Sequence, residues 1–261
     1  MRAHGTFGLL IGLALSGCGL IGSTDDGTTD PGDEDPSPGP FDRWLAVRSI
    51  TPEAGGVSTR PTLRIQFNDY IDDESFETYN TGALETGPIQ WGGWADWRMT
   101  DKTLIWQSRG EVPSGLEVTF KLSKAFESVT GAPFRPTDVS RIYTTSSDRQ
   151  PPPADPPPAD WSDVEAIFER HCNTCHGNPD WGGLTPLTRE ALVGGESAQV
   201  DRPLVRPYDA SDSYLMHKIL WDYPDRRLTP QPPPWSGADE LPKADQRTIE
   251  HWIQSGAPGP G

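Results

Sequence analysis

The sequence predicts two folded domains, an all-β sandwich followed by a mostly α-helical domain, and three observations carry that prediction. Residues 43–148 alternate apolar and polar positions with a period of two, whereas residues 161–261 space their apolar residues three and four apart. Between them runs Pro151-Pro152-Pro153-Ala154-Asp155-Pro156-Pro157-Pro158-Ala159-Asp160, a near-repeat suited to a stiff polyproline II spacer at 149–160. A Cys172-Asn173-Thr174-Cys175-His176 run then closes the first helical stretch and sets the chemistry expected of the second domain.

The chain begins with Arg2, an apolar run from Phe7 to Leu15, and Ser16-Gly17-Cys18. That run is too short to span a bilayer and reads as a removed signal at 1–17. Leu15-Ser16-Gly17-Cys18 resembles a bacterial lipoprotein lipobox, which implies acylation of Cys18 and export to the periplasmic face or cell surface. By similarity to lipoprotein sorting rules, Gly19 leans toward the outer membrane. The plain alternative is a secretory signal with an incidental cysteine. Residues 18–42 hold Asp25-Asp26 and Asp33-Glu34-Asp35-Pro36 with almost nothing apolar, an acidic disordered tether. A formal net charge of −16 without a Lys/Arg cluster argues against nucleic acid as a partner; membrane contact is expected through Cys18.

In the β region, Leu63, Ile65 and Phe67 alternate with Arg64 and Gln66. Leu116, Val118, Phe120 and Leu122 alternate with Glu117, Thr119 and Lys121. Ser49-Ile50-Thr51-Pro52-Glu53-Ala54-Gly55, Thr62 to Asn68, Asp101-Lys102-Thr103-Leu104, Val112 to Leu116 and Tyr143-Thr144-Thr145 together resemble bacterial Ig-like domains of the SbsA type. The resemblance implies a spacer or interaction module and brings no catalytic residues. Trp91-Gly92-Gly93-Trp94-Ala95-Asp96-Trp97 is read as core and strand-edge packing, with an exposed aromatic patch for a glycan or protein as the alternative.

In the helical region Ser162-Asp163-Val164-Glu165 reads as a capping box, and Val164, Ile167 and Phe168 give the first helix its apolar face. A second helix is expected from Thr188 to Gly194-Gly195, and a third from near Asp212 through Leu215 and Ile219. The last carries Ile249, Trp252 and Ile253 and stops at Ser255-Gly256.

C-x-x-C-H is the attachment sequence of c-type haem. Two thiols at that spacing each add to a vinyl group, and the following imidazole ligates the iron. His171, Cys172, Cys175 and His176 also count as four donors for zinc, and Cys172–Cys175 as a disulfide pair; both remain as alternatives. Ile167-Phe168, Cys172 to Gly177, Ser213-Tyr214-Leu215 and Ile249 to Ala257 resemble the small cytochrome c-like domains of bacterial surface proteins, the planctomycete type included. The resemblance implies one covalent haem c, with Cys172 and Cys175 as thioether attachments and His176 as proximal ligand. It also implies crossed helices near 163–170 and 244–254. Where that family has an Arg-Met-Pro-Pro-like segment, this chain has Arg226-Arg227-Leu228-Thr229-Pro230-Gln231-Pro232-Pro233-Pro234, and neither Leu228 nor Gln231 is a normal haem ligand. Met216 or His217 as sixth ligand stands beside an open, five-coordinate iron.

The expectation is a lipid-anchored, extracytoplasmic electron carrier with one haem on an Ig-like spacer, exchanging electrons with a redox partner protein. A haem peroxidase or ligand sensor, and a surface interaction or adhesion lipoprotein with a degenerate haem domain, are the alternatives. No Ser/His/Asp set, paired-carboxylate site or phosphate loop supports hydrolytic or kinase chemistry.

Overall fold

The computed structural model describes residues 44–72, 75, 81–122, 126–135, 139–151, 159–177, 186–224 and 229–261. Cys18, the signal and the acidic tether, most of the Pro-rich spacer, and Arg226, Arg227 and Leu228 lie outside the described residues.

Alternation does its expected work in the first half. Strands β1 (Val47–Thr51), β2 (Gly55–Ser58), β3 (Thr62–Phe67), β4 (Gly82–Thr86), β5 (Ile89–Arg98), β6 (Thr103–Ser108), β7 (Glu117–Leu122) and β8 (Ser140–Ser146) follow in order. Leu63, Ile65, Phe67, Val118 and Phe120 are buried, and Arg64 and Gln66 face solvent. The strands hydrogen-bond in the order β1-β3-β6-β5-β4-β7-β8-β2. Neighbours are antiparallel except β2, which runs parallel to β8.

The sheet is continuous because β5 serves both of its halves. Residues Ile89–Gly92 pair with β4, and Gly93–Arg98 pair with β6. The change of partner falls at Gly92-Gly93, where the sheet curls into a half-barrel. Glycine is required at 93: a Cβ there would lie 2.2 Å from Trp106 Cε2 and 2.5 Å from the Gln107 carbonyl oxygen. Trp106 fills the curl, packing on Phe120 with ring centroids 5.1 Å apart and donating Nε1–H to the Gly82 carbonyl at 3.1 Å. At the two ends of the strand order, β1 carries a register irregularity between Val47 and Ser49, and β2 has four residues, with the Arg149 guanidinium close over Gly56.

Helices α1 (Trp161–His171), α2 (Asn173–His176), α3 (Arg189–Val193), α4 (Tyr214–Ile219) and α5 (Lys243–Gln254) follow the spacer. Helix α1 starts two residues before the expected box: Asp160 accepts from Ser162 N at 2.7 Å and Asp163 N at 3.3 Å, while the Asp163 carboxylate accepts from Asp160 N. Starting there makes Trp161 the first helical residue and buries it against Trp252, with rings 5.5 Å apart. Helix α5 ends in a left-handed Gly256 (φ +97°), and Ala257 N reaches back to the Trp252 carbonyl at 2.8 Å.

The expected fold class, two domains with an Ig-like sandwich followed by a mostly α cytochrome c-like domain, is corrected on both counts. The β portion is one curled sheet with a shared strand rather than two stacked sheets. Among the described residues no second, mostly α domain is evident: helices occupy a minority of those in 161–261. Pro38–Gly261 forms one compact unit, whose apolar core runs without interruption from Leu45 and Phe67 to Trp161, Phe168 and Trp252. The physical reason is a polar seam that local pattern does not advertise. Arg247 grips Asp101 through two nitrogens at 2.7 and 2.9 Å, and Gln254 donates to the Trp97 carbonyl at 2.9 Å. Tyr70 donates its hydroxyl to Asp222 at 2.5 Å, and Lys102 pairs with the same carboxylate at 2.8 Å.

Candidate functional site

The C-x-x-C-H run is a helical turn added to the end of α1. Cys172 N–H donates to the Phe168 carbonyl at 2.8 Å and so continues the helix. Its own carbonyl accepts from Cys175 N at 3.1 Å and His176 N at 2.9 Å, and Gly177 N closes on Asn173 O at 2.8 Å. Residues three and four apart on a helical turn are neighbours, so Cys172, Cys175 and His176 fall within one turn, with Cys172 packed against the core and Cys175 exposed. The turn is anchored from below: Val164, Ile167 and Phe168 are buried, and α1 packs on α5. Asp245 of α5 holds its last residues, with His171 Nε2 at 3.2 Å and Arg170 at 3.6 Å.

Cys172 is half-buried and Cys175 exposed, and the two are not bonded to each other. Burial, reinforced by the neighbouring Cys175 sulfur, pushes the Cys172 thiol up to about 11. Cys172 is therefore a neutral thiol at neutral pH rather than a preformed thiolate. Among the described residues no three His, Cys, Asp or Glu side chains converge as a metal cluster, so His171, Cys172, Cys175 and His176 do not gather around one centre. Zinc needs such convergence. Haem attachment does not need a convergent donor set: it needs two free thiols and an imidazole within one turn, and this turn carries those groups.

The proposed distal residues lie in other surroundings. Met216 is fully buried in the core. His217 is 5% exposed, places Nε2 2.7 Å from the Ser211 carbonyl, and stacks on Tyr223 with centroids 4.2 Å apart. It lines a cavity of about 350 Å³ between the sheet and the helical segment, where Trp97, Met99 and Asp72 face Arg202 and Tyr223. Cys172, Cys175 and His176 are not part of that wall. Gln231 is tied through its backbone N to the Lys218 carbonyl at 2.6 Å.

The tryptophan-rich stretch is divided by the pleat of β5. Trp97 is buried against Phe67 and Trp91 is half-buried, while Trp94 is 47% exposed and donates Nε1–H to Gln107 at 3.0 Å. Sequence reasoning did not find Glu250, which is 1% exposed and meets the backbone N–H groups of Met99 and Thr100 at 2.5 and 3.4 Å. On a helical wheel it reads as one more polar residue of α5, and no local signal marks it.

No protein-family model and no curated protein matches the chain. Solved structures similar to part of it include the S-layer protein SbsC, at 12% identity and a TM-score of 0.31 over 45% of this chain and 14% of that one. Another is PcoC, a methionine-rich copper resistance protein from Escherichia coli, at 13% identity and a TM-score of 0.31, covering 40% of this chain and 99% of that one. An L,D-transpeptidase from Mycobacterium smegmatis follows at 13% identity and a TM-score of 0.28, over 39% and 40% of the two chains. Likenesses this slight carry no inference about activity. Among the described residues no helix is long and apolar enough to cross a membrane.

Proposed function

We propose that the chain is an exported, lipid-anchored c-type haem protein that carries single electrons through one haem attached at Cys172 and Cys175. The observation that supports this reading is the helical turn itself, which brings two unbonded thiols and the His176 imidazole within one turn at the end of a well-anchored helix. When bound, haem supplies a one-electron iron couple whose potential responds to axial ligation and burial. Cys172 and Cys175 would fix the macrocycle, and His176 would offer its imidazole from the same turn. Asp245, holding His171 and Arg170, keeps the end of α1 in place beneath them. Acylation at Cys18 would hold the chain at a membrane surface, with the outer membrane as the favoured location.

A second reading, a surface interaction lipoprotein with a degenerate haem site, draws on the way Met216 and His217 are used. One is committed to the core, and the other to Ser211 and Tyr223. The experiment that separates the two is a pyridine haemochrome assay on protein exported from a host with c-type maturation genes. Haem that survives denaturation, with a c-type α band, supports the carrier. Protein that leaves the same host without covalent haem overturns it and leaves the interaction reading.

A further inference from the structure

We propose that Glu250 is a proton-operated latch: its neutral carboxyl holds the helical segment against the β5–β6 turn, and loss of its proton loosens that seam. The carboxyl sits at the middle of α5, almost wholly removed from water, and reaches across to the backbone of the turn joining β5 to β6. Met99 N–H and Thr100 N–H donate to its two oxygens, at 2.5 and 3.4 Å. These contacts join residues about 150 positions apart, so they exist only while α5 is docked.

The charges that face the carboxyl have other partners. From β5, Arg98 is paired with Asp96 at 2.8 Å; from α5, Arg247 is held by Asp101 of the turn at 2.7 Å. Lys102, the other cation of the turn, is bound to Asp222 and lies over the Tyr70 ring. Desolvation raises the carboxyl and outweighs what favours the charged form: the Thr100 hydroxyl, the Met99 and Thr100 N–H donors, and the charges of Arg98 and Arg247. Burial accordingly pushes Glu250 up to about 7.

The sign follows from linkage. A carboxyl that ionises near 4.5 when solvated and near 7 when docked binds more protons in the docked form between those values. Docking is therefore tightest below about pH 4.5, weakens as pH rises through the interval, and is level above about 7.5.

Hydrogen exchange on the full chain tests the latch at its own contacts. Protection of the Met99 and Thr100 amides, corrected for intrinsic exchange, should fall by about 200-fold between pH 4 and pH 7.5. In Glu250→Gln, which keeps the shape without a titrating proton, that protection should not vary with pH beyond the drift of remote core amides. A flat profile in the unmodified protein, or the same slope in both proteins, overturns the proposal. Isotope-edited infrared titration of Glu250 in the unmodified protein gives a reading that needs no variant. Ionisation near 7 supports the latch, and ionisation near 4.5 sinks it.

Discussion

Replacing Gly93 by alanine adds one methyl group at the point where the half-barrel bends. The new Cβ would fall 2.2 Å from Trp106 Cε2, 2.4 Å from its Nε1 and 2.5 Å from the Gln107 carbonyl oxygen, so either the indole or the backbone must move. Moving the indole breaks its hydrogen bond to Gly82, and a buried donor left unpaired costs about 1–3 kcal/mol. It also disturbs the contact with Phe120, and overpacking a filled core adds about 1–3 kcal/mol. Together these destabilise the fold by about 3 kcal/mol, which moves a urea midpoint by about 1 M. Gly92→Ala is the matched control. Nothing lies within 4 Å of a Cβ at 92, so its midpoint should stay or rise slightly as the unfolded chain loses freedom. Both proteins would be unfolded in urea and followed by tryptophan fluorescence. Equal midpoints for the two variants would refute the reading of Gly93 as the point where the backbone meets Trp106.

Other expectations follow from the same contacts. Removing the hydroxyl in Tyr70→Phe deletes the bond to Asp222 and should lower stability by about 1 kcal/mol, since Asp222 keeps Lys102; chemical denaturation reads this directly. Arg247→Ala removes a largely exposed ion pair, so it should cost under about 1 kcal/mol, and the difference from the unmodified protein should shrink in high salt. Glu250→Gln should remove a stability decline of at most about 3 kcal/mol that the unmodified protein shows between about pH 4.5 and 7, visible as melting curves at stepped pH. On the haem proposal, Cys175→Ser in a c-type maturation host should leave a single thioether and one conjugated vinyl group, which a red-shifted haemochrome band reports. His176→Ala should leave no axial imidazole from this turn, changing the spin state of any haem retained.

What could be read from sequence was whatever a local period encodes. Leu63, Ile65 and Phe67 announce a strand because alternation is the geometry of the pleat, and Ile249, Trp252 and Ile253 announce a helix face for the same kind of reason. The start of α1 was ambiguous because Asp160-x-x-Asp163 and Ser162-x-x-Glu165 both carry a cap followed by an acid. Burial of Trp161 against Trp252, 91 positions away, selects the first. In the Trp91–Trp97 stretch, small residues at Gly93 and Ala95 hide the alternation that makes β5 a strand. The assignment of two domains failed for a different reason. Arg247, Glu250 and Gln254 look like the solvated side of α5, yet they meet Asp101, Met99 and the Trp97 carbonyl. A seam made from single polar residues leaves no periodic trace. The proposal for Cys172, Cys175 and His176 rests on a contiguous motif, whereas Met216 was named as the only methionine of that region and His217 as its neighbour.

Among the described residues the half-barrel, unlike a closed one, ends in two ladders without a further strand, and such a ladder invites a strand from another chain. The irregularity in β1 and the shortness of β2 under Arg149 therefore matter less for how this chain folds than for what it declines to join. Neighbouring copies at high local concentration would meet at margins too kinked or too short to template a shared sheet, so crowding need not end in fibrils.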